Sequence, residues 1–249
     1  MPYVAVVHTA EVEPFVNPDT GLTVRPTLGT STGFPCFEQA LLECPPGRSW
    51  VIAVGEAEET MFVLDGRGLA RIGADAYALA PETAIFLPPG TELELESDGP
   101  GPLRLVAVRV IEPERPGPDA GPLRPAISRL SEQEPGQATA EREFRILADP
   151  ANGLLSATHF VGYIPRTRAP DHFHYYDEVI YVLDGEGVMR AGDDQRPLSA
   201  GSCIQLPART VHCLQNTGTT PMRVVAVFRP AGSPAEAYYP DGTPAYQGI

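Results

Sequence analysis

The sequence predicts an all-β protein built as two tandem antiparallel β-barrels. Three observations lead there. Apolar runs of about four to eight residues, such as 179–183, 201–206 and 223–228, are cut by Gly, Pro and Asp turns. A long stretch of the first half recurs in the second. The residues best suited to one binding site, His172, His174, Glu178 and His212, sit on separate segments that only a closed sheet would bring together.

Composition supports the first observation. The chain has 249 residues, 43% of them hydrophobic, with 28 Pro and 24 Gly, so a sizeable core is interrupted by many turns. The repeat is explicit. Glu59-Thr-Met-Phe-Val-Leu-Asp-Gly66-Arg-Gly68 matches Glu178-Val-Ile-Tyr-Val-Leu-Asp-Gly185-Glu-Gly187 at a shift of 119 positions, the spacing between Glu59 and Glu178. Without a gap, that shift also aligns Arg71 with Arg190, Gly73 with Gly192, Asp75 with Asp194, Leu87-Pro88 with Leu206-Pro207, and Val106-Ala-Val108 with Val225-Ala-Val227. Roughly a third of the columns are identical, as a tandem duplication predicts.

The halves are joined by residues 112–125, where five prolines and two glycines can continue neither a helix nor a ladder. This places a first barrel over 1–115, an extended linker over 116–125 and a second barrel over 126–249. Residues 131–147 contain helix-forming Glu, Gln and Ala, but Pro135 and Gly136 allow at most a short helix.

Charge and cysteine usage exclude several functions. With 32 acidic against 18 basic residues the net charge is −14, which disfavours nucleic acid and anionic membranes as partners. Every basic residue is arginine, so a Schiff base through a lysine amine is excluded. Cys36, Cys44, Cys203 and Cys213 form no CxxC pair and read as small buried residues. No apolar run is long enough to span a bilayer, and the start Met1-Pro-Tyr-Val lacks the pattern of a secretion signal. A soluble, cytoplasmic protein is expected.

On a strand, His172 and His174 point the same way, and Glu178 follows at even spacing. His212 arrives after the turn at Pro207. Three imidazoles and a carboxylate converging on one cavity suit one divalent transition metal, which Fe, Mn, Ni, Cu and Zn all satisfy. Alternation adds Tyr176, Ile180, Val182 and Leu214 to the same face, an apolar lining with one phenol. In the first half the equivalent positions are Ala53, Gly55 and Leu93; only Glu59 matches Glu178. The metal is therefore expected in the second barrel alone. His159 reads as a core or rim histidine and His8 as a surface one. No phosphate-cradling loop or nucleophile–base pair is present.

The second half resembles the cupin superfamily. His172, His174, Glu178 and Gly185 match its first motif, and Gly201, Pro207, His212 and Asn216 its second, with Arg209 in place of a glycine. The resemblance implies a double-stranded β-helix (jelly-roll) fold duplicated as a bicupin, with metal ligands His172, His174, Glu178 and His212. It also implies a metal-dependent enzyme of small-molecule metabolism: a dioxygenase, or a Lewis-acid isomerase, cyclase or decarboxylase acting on a carbonyl- or enol-bearing substrate. Glu178, Tyr176 and Arg209 are the candidate catalytic residues: a proton acceptor, a hydrogen-bond donor and a guanidinium at the barrel mouth. A manganese-dependent aminohydrolase resembling ureidoglycine aminohydrolase and a non-catalytic, metal-stabilised binding protein stay open. A small-molecule substrate and a homodimer are the expected partners.

Overall fold

The computed structural model describes residues 4–18, 21–47, 49–113 and 125–246. Its first half contains β1 (Ala5–His8), β2 (Phe15–Val16), β3 (Thr23–Leu28), β4 (Phe37–Cys44), β5 (Ser49–Ala53), β6 (Glu58–Asp65), β7 (Gly68–Ile72), β8 (Asp75–Leu79), β9 (Thr83–Leu87), β10 (Glu92–Ser97) and β11 (Leu103–Val110). The second contains β12 (Ala126–Arg129), β13 (Gly136–Ala138), β14 (Arg142–Ala148), β15 (Thr158–Ile164), β16 (Asp177–Asp184), β17 (Glu186–Ala191), β18 (Asp194–Ser199), β19 (Ser202–Leu206), β20 (Cys213–Asn216) and β21 (Met222–Arg229). Among the described residues the only helical pieces are short 3-10 turns, and no helix is long and apolar enough to cross a membrane.

Each barrel is a seven-stranded antiparallel sheet closed by a smaller one. The order is β12-β9-β6-β11-β4-β3-β2 with β5-β10-β7-β8 in the first, and β1-β19-β16-β21-β15-β14-β13 with β18-β17-β20 in the second. The repeat is visible in the strands themselves: β6, β9 and β11 recur 119 positions later as β16, β19 and β21 with unchanged lengths. Gly66 and Gly185 recur because the hairpin demands glycine. Both have positive φ, and a Cβ would lie 2.4 Å from the Pro102 carbonyl oxygen or 2.8 Å from the Met222 Cα.

The central strands are apolar on both faces, for two different reasons. Leu105 and Ala107 of β11 fill the first barrel's interior, while Val224, Ala226 and Phe228 of β21 fill the second's. Their alternate neighbours, Val106 and Val108, Val225 and Val227, pack the two large sheets together. That interface also holds His159. Its Nδ1 lies 2.6 Å from the Thr60 hydroxyl, and burial pushes its pKa down to about 3. Buried Glu58 accepts the backbone N–H groups of Leu155 and Ser156. Arg223 bridges Glu82 of the first half and Asp184 of the second.

The boundaries expected from sequence need one correction. Strand β1 pairs with β19 of the second barrel, and β12 pairs with β9 of the first. Each half thus lends its leading strand to the other, covering a rim that would otherwise be an exposed sheet edge. The barrels are therefore not split cleanly at 115 and 126; the linker expected at 116–125 lies, up to residue 124, outside the described residues. Residues 131–147 are also not helical beyond a 3-10 turn at Leu130–Glu132; β13 and most of β14 occupy them.

Candidate metal centre

His172 and His212 meet as a backbone bridge. The His172 N–H donates to the His212 carbonyl at 3.0 Å, and the His212 N–H donates back at 2.8 Å. The His-x-His segment is thus a bridged stretch before β16 rather than part of a strand. After a bend at Tyr175 and Tyr176 the chain enters β16, three residues beyond His174, and β16 carries Glu178 into the barrel wall. One nitrogen from each of His172, His174 and His212 lies within 4.8 Å of the other two, and all three residues are buried.

The protonation of the imidazoles follows from their partners. Nδ1 of His172, His174 and His212 lies 2.9, 2.8 and 2.9 Å from the carbonyl oxygens of Pro170, Glu236 and Thr210. A carbonyl only accepts, so each Nδ1 carries the hydrogen and each Nε2 keeps a free lone pair. Burial pushes His172 down to about 4, His174 to about 3 and His212 well below its ordinary value. The three rings are therefore neutral at physiological pH. Three neutral imidazoles, each oriented by a backbone acceptor, form a donor set that fits a divalent transition metal.

The cavity around this set measures about 80 Å³, and its walls are largely apolar, including Phe160, Ile180, Leu214 and Val224. Glu178 lines it but stands outside the three-histidine cluster. Its carboxyl is buried, and desolvation pushes it up to about 8 although Arg142 opposes the shift. Tyr176 also lines the cavity, stacked between His174 (centroids 4.5 Å apart) and Phe228 (3.9 Å). Of the other expected lining residues, Ile180 and Leu214 reach the cavity, whereas Val182 packs into the barrel core.

Arg209 is not brought to this site. It takes the left-handed conformation (φ 62°) that the turn requires, is exposed, and lays its guanidinium 5.1 Å from the Tyr175 ring centroid. Its backbone N–H donates to the His174 carbonyl, so the position serves the loop through its main chain.

Two contributors escaped sequence reading. Arg142, at the start of β14, lines the cavity and donates from Nη2 to the Leu214 carbonyl at 2.5 Å. No motif marks it, because a hairpin turn rather than ligand spacing delivers it. The segment after β21 is the other. Its Tyr238 bridges Phe173 through paired backbone hydrogen bonds, Glu236 orients His174, and Ala235 and Ala237 close the cavity wall.

Fold and site together define a class: a protein of two jelly-roll barrels with a histidine cluster buried in the second. Residues 159–228, most of the second barrel, match the family model described as a cupin domain. It is 31% identical over 108 residues to gentisate 1,2-dioxygenase of a Ralstonia species, a match covering 40% of this chain and 30% of that enzyme. The chain spans about half or less of the length of the curated relatives it matches. Among solved structures it resembles protein Ylba from E. coli (TM-score 0.78, 13% identity, 92% of this chain and 91% of that one). It also resembles oxalate decarboxylase of Bacillus subtilis (TM-score 0.73, 13% identity, 91% of this chain and 77% of that one). At such identities the structural likeness speaks for the fold alone.

Proposed function

We propose that His172, His174 and His212 hold one divalent transition metal in the second barrel, with Glu178 as a fourth ligand or adjacent proton carrier. On this reading the protein is a metal-dependent enzyme acting on a small carbonyl- or enol-bearing substrate. The observation that carries it is the set of three Nδ1–H···O=C contacts, which leaves three free Nε2 lone pairs in one buried cavity. A bound dication supplies Lewis acidity toward an oxygen of the substrate, or a place for dioxygen beside it.

The chain's own groups do the rest. Glu178 holds a proton in a wall that offers it no ion pair, so its carboxyl gives up or takes a proton where a fully solvated one would not. The Tyr176 ring is clamped between His174 and Phe228, which keeps both the imidazole and the phenol in place. The apolar walls limit the water that competes for reactive atoms. Both an oxygenating and a redox-neutral reaction fit this equipment, and the names of two similar proteins, a dioxygenase and a decarboxylase, span the same choice.

Metal analysis of protein purified without chelator tests the reading, with about one transition-metal ion per chain expected. Oxygen uptake with enol substrates then separates an oxygenase from a Lewis-acid enzyme, and ammonia release would indicate an aminohydrolase. A His174→Ala variant that loses the metal but keeps every catalytic activity would leave only a binding protein.

A further inference from the structure

Among the described residues, four buried side-chain polar atoms lack a hydrogen-bond partner, and two of them, Thr139 Oγ1 and Arg142 Nε, belong to residues lining the histidine cavity. A buried donor without an acceptor is costly, and a guanidinium costs more than a neutral group. The guanidinium donates from Nη2 to the Leu214 carbonyl, and no carboxylate in the cavity wall takes its Nε–H. The cavity therefore presents three imidazoles, a carboxyl and a guanidinium whose Nε–H has no acceptor.

The backbone beside these groups is strained as well. The β13–β14 turn passes through Ala140 (φ 61°) and Glu141 (φ 58°), two successive non-glycine residues in the left-handed region. That turn sets Thr139 at one end and Arg142 at the other, both against the same cavity. In the first half, Thr23 occupies the place equivalent to Arg142 at the 119-residue shift. The cation accompanies the histidines.

We infer that Thr139 and Arg142 form a carboxylate-binding subsite, and that the site takes a small carboxylic acid bearing a second oxygen, a hydroxyl or oxo group, next to the carboxylate. The guanidinium Nε–H and the threonine hydroxyl donate to the carboxylate, while the neighbouring oxygen faces the imidazoles. This last point rests on the metal reading above; the subsite itself does not. Size agrees. At about 10–15 Å³ per water-sized site, 80 Å³ admits a ligand of about five to eight non-hydrogen atoms.

Calorimetric titration with lactate and its neutral counterpart lactamide tests the inference, on metal-free protein and on protein loaded with manganese. The wild type is expected to prefer lactate by at least about tenfold, as a charge-assisted contact implies. Arg142→Gln should bring the two within about twofold without changing metal stoichiometry. Thr139→Ala, a milder change, should weaken lactate a few-fold, and Arg142→Lys should keep part of the preference. An Arg142→Gln variant that binds metal normally and retains the full preference overturns the inference, as does a wild type that prefers lactate in neither form. If the chain takes up no metal yet shows an Arg142-dependent preference for lactate, the metal reading fails and the subsite stands.

Discussion

Glu59 in the first barrel and Glu178 in the second occupy the same rung of the same ladder. Glu59 lies between Leu87 of β9 and Arg109 of β11; Glu178 lies between Leu206 of β19 and Phe228 of β21. In the first barrel the carboxylate accepts from the Arg109 guanidinium at 2.9 Å and is committed to an ion pair. In the second, phenylalanine stands where the arginine would be, and the carboxyl, with no such partner, is pushed up to about 8. Around these acids, Ala53, Gly55 and Leu93 are matched by His172, His174 and His212. One backbone thus supports an ion-paired, histidine-free wall in one copy and a wall of three clustered imidazoles and an unpaired carboxyl in the other. The difference lies in a few side chains and not in the topology.

The comparison breaks most easily at the histidines. His174→Ala should lower transition-metal affinity by at least about 100-fold and abolish any metal-induced rise in Tm, measured by competition titration and thermal unfolding. Leu93→Ala, at the place in the first barrel that matches His212, should cost about 2–5 kcal/mol of stability by opening a core cavity and leave metal affinity unchanged. Equal metal loss in both variants would mean that the barrels are not distinct in the way described.

The two acids sharpen it next. Glu178→Gln should reduce kcat about 100-fold and, in the metal-free protein at neutral pH, raise stability rather than lower it, because the amide needs no proton uptake on folding. Glu59→Gln should do the reverse, costing about 1–3 kcal/mol by leaving Arg109 without its partner and sparing turnover. Stability of the metal-free protein gives the sign of the Glu178 shift. A carboxyl whose folded pKa is raised from 4.5 to about 8 contributes stability below pH 4.5, which is lost as pH rises through 8. Urea unfolding between those limits should show this slope in the wild type and a flatter one in Glu178→Gln.

A smaller effect is expected where the barrels touch. His159 is held neutral down to about pH 3, whereas an unfolded chain takes up its proton near 6.5, so stability should rise with pH between 3 and 6.5. His159→Asn should remove about one proton's worth of that slope in acid unfolding curves. The smallest effect concerns Arg209, whose counterpart Gly90 has φ 76°. Arg209→Gly should change stability by less than about 1 kcal/mol and leave turnover intact, because the position needs only a left-handed backbone.

Much of this was legible in the sequence because it depends on local period and fixed spacing. The 119-residue shift exposed the duplicated strands, Gly66 and Gly185 marked hairpins that tolerate no Cβ, and the pattern His172, His174, His212 named the residues that converge. What stayed hidden depends on distant pairing. The exchange of β1 and β12 leaves no local mark, since an edge strand reads the same whichever sheet it joins. Arg142 arrives by way of a strained hairpin, and the Glu236 carbonyl that orients His174 belongs to an irregular segment following the last strand. Arg209 looked chemical because it replaced a glycine in a motif; its guanidinium lies over the exposed Tyr175 ring and not on the cavity wall.

Anomalous X-ray diffraction at the absorption edge of manganese, from crystals of the manganese-loaded chain, tests the central claim most directly. A single peak per chain is expected, within coordination distance of His172, His174 and His212 and absent from the neighbourhood of Glu59. A map with no peak at those histidines, or with equal peaks in the two barrels, would contradict it.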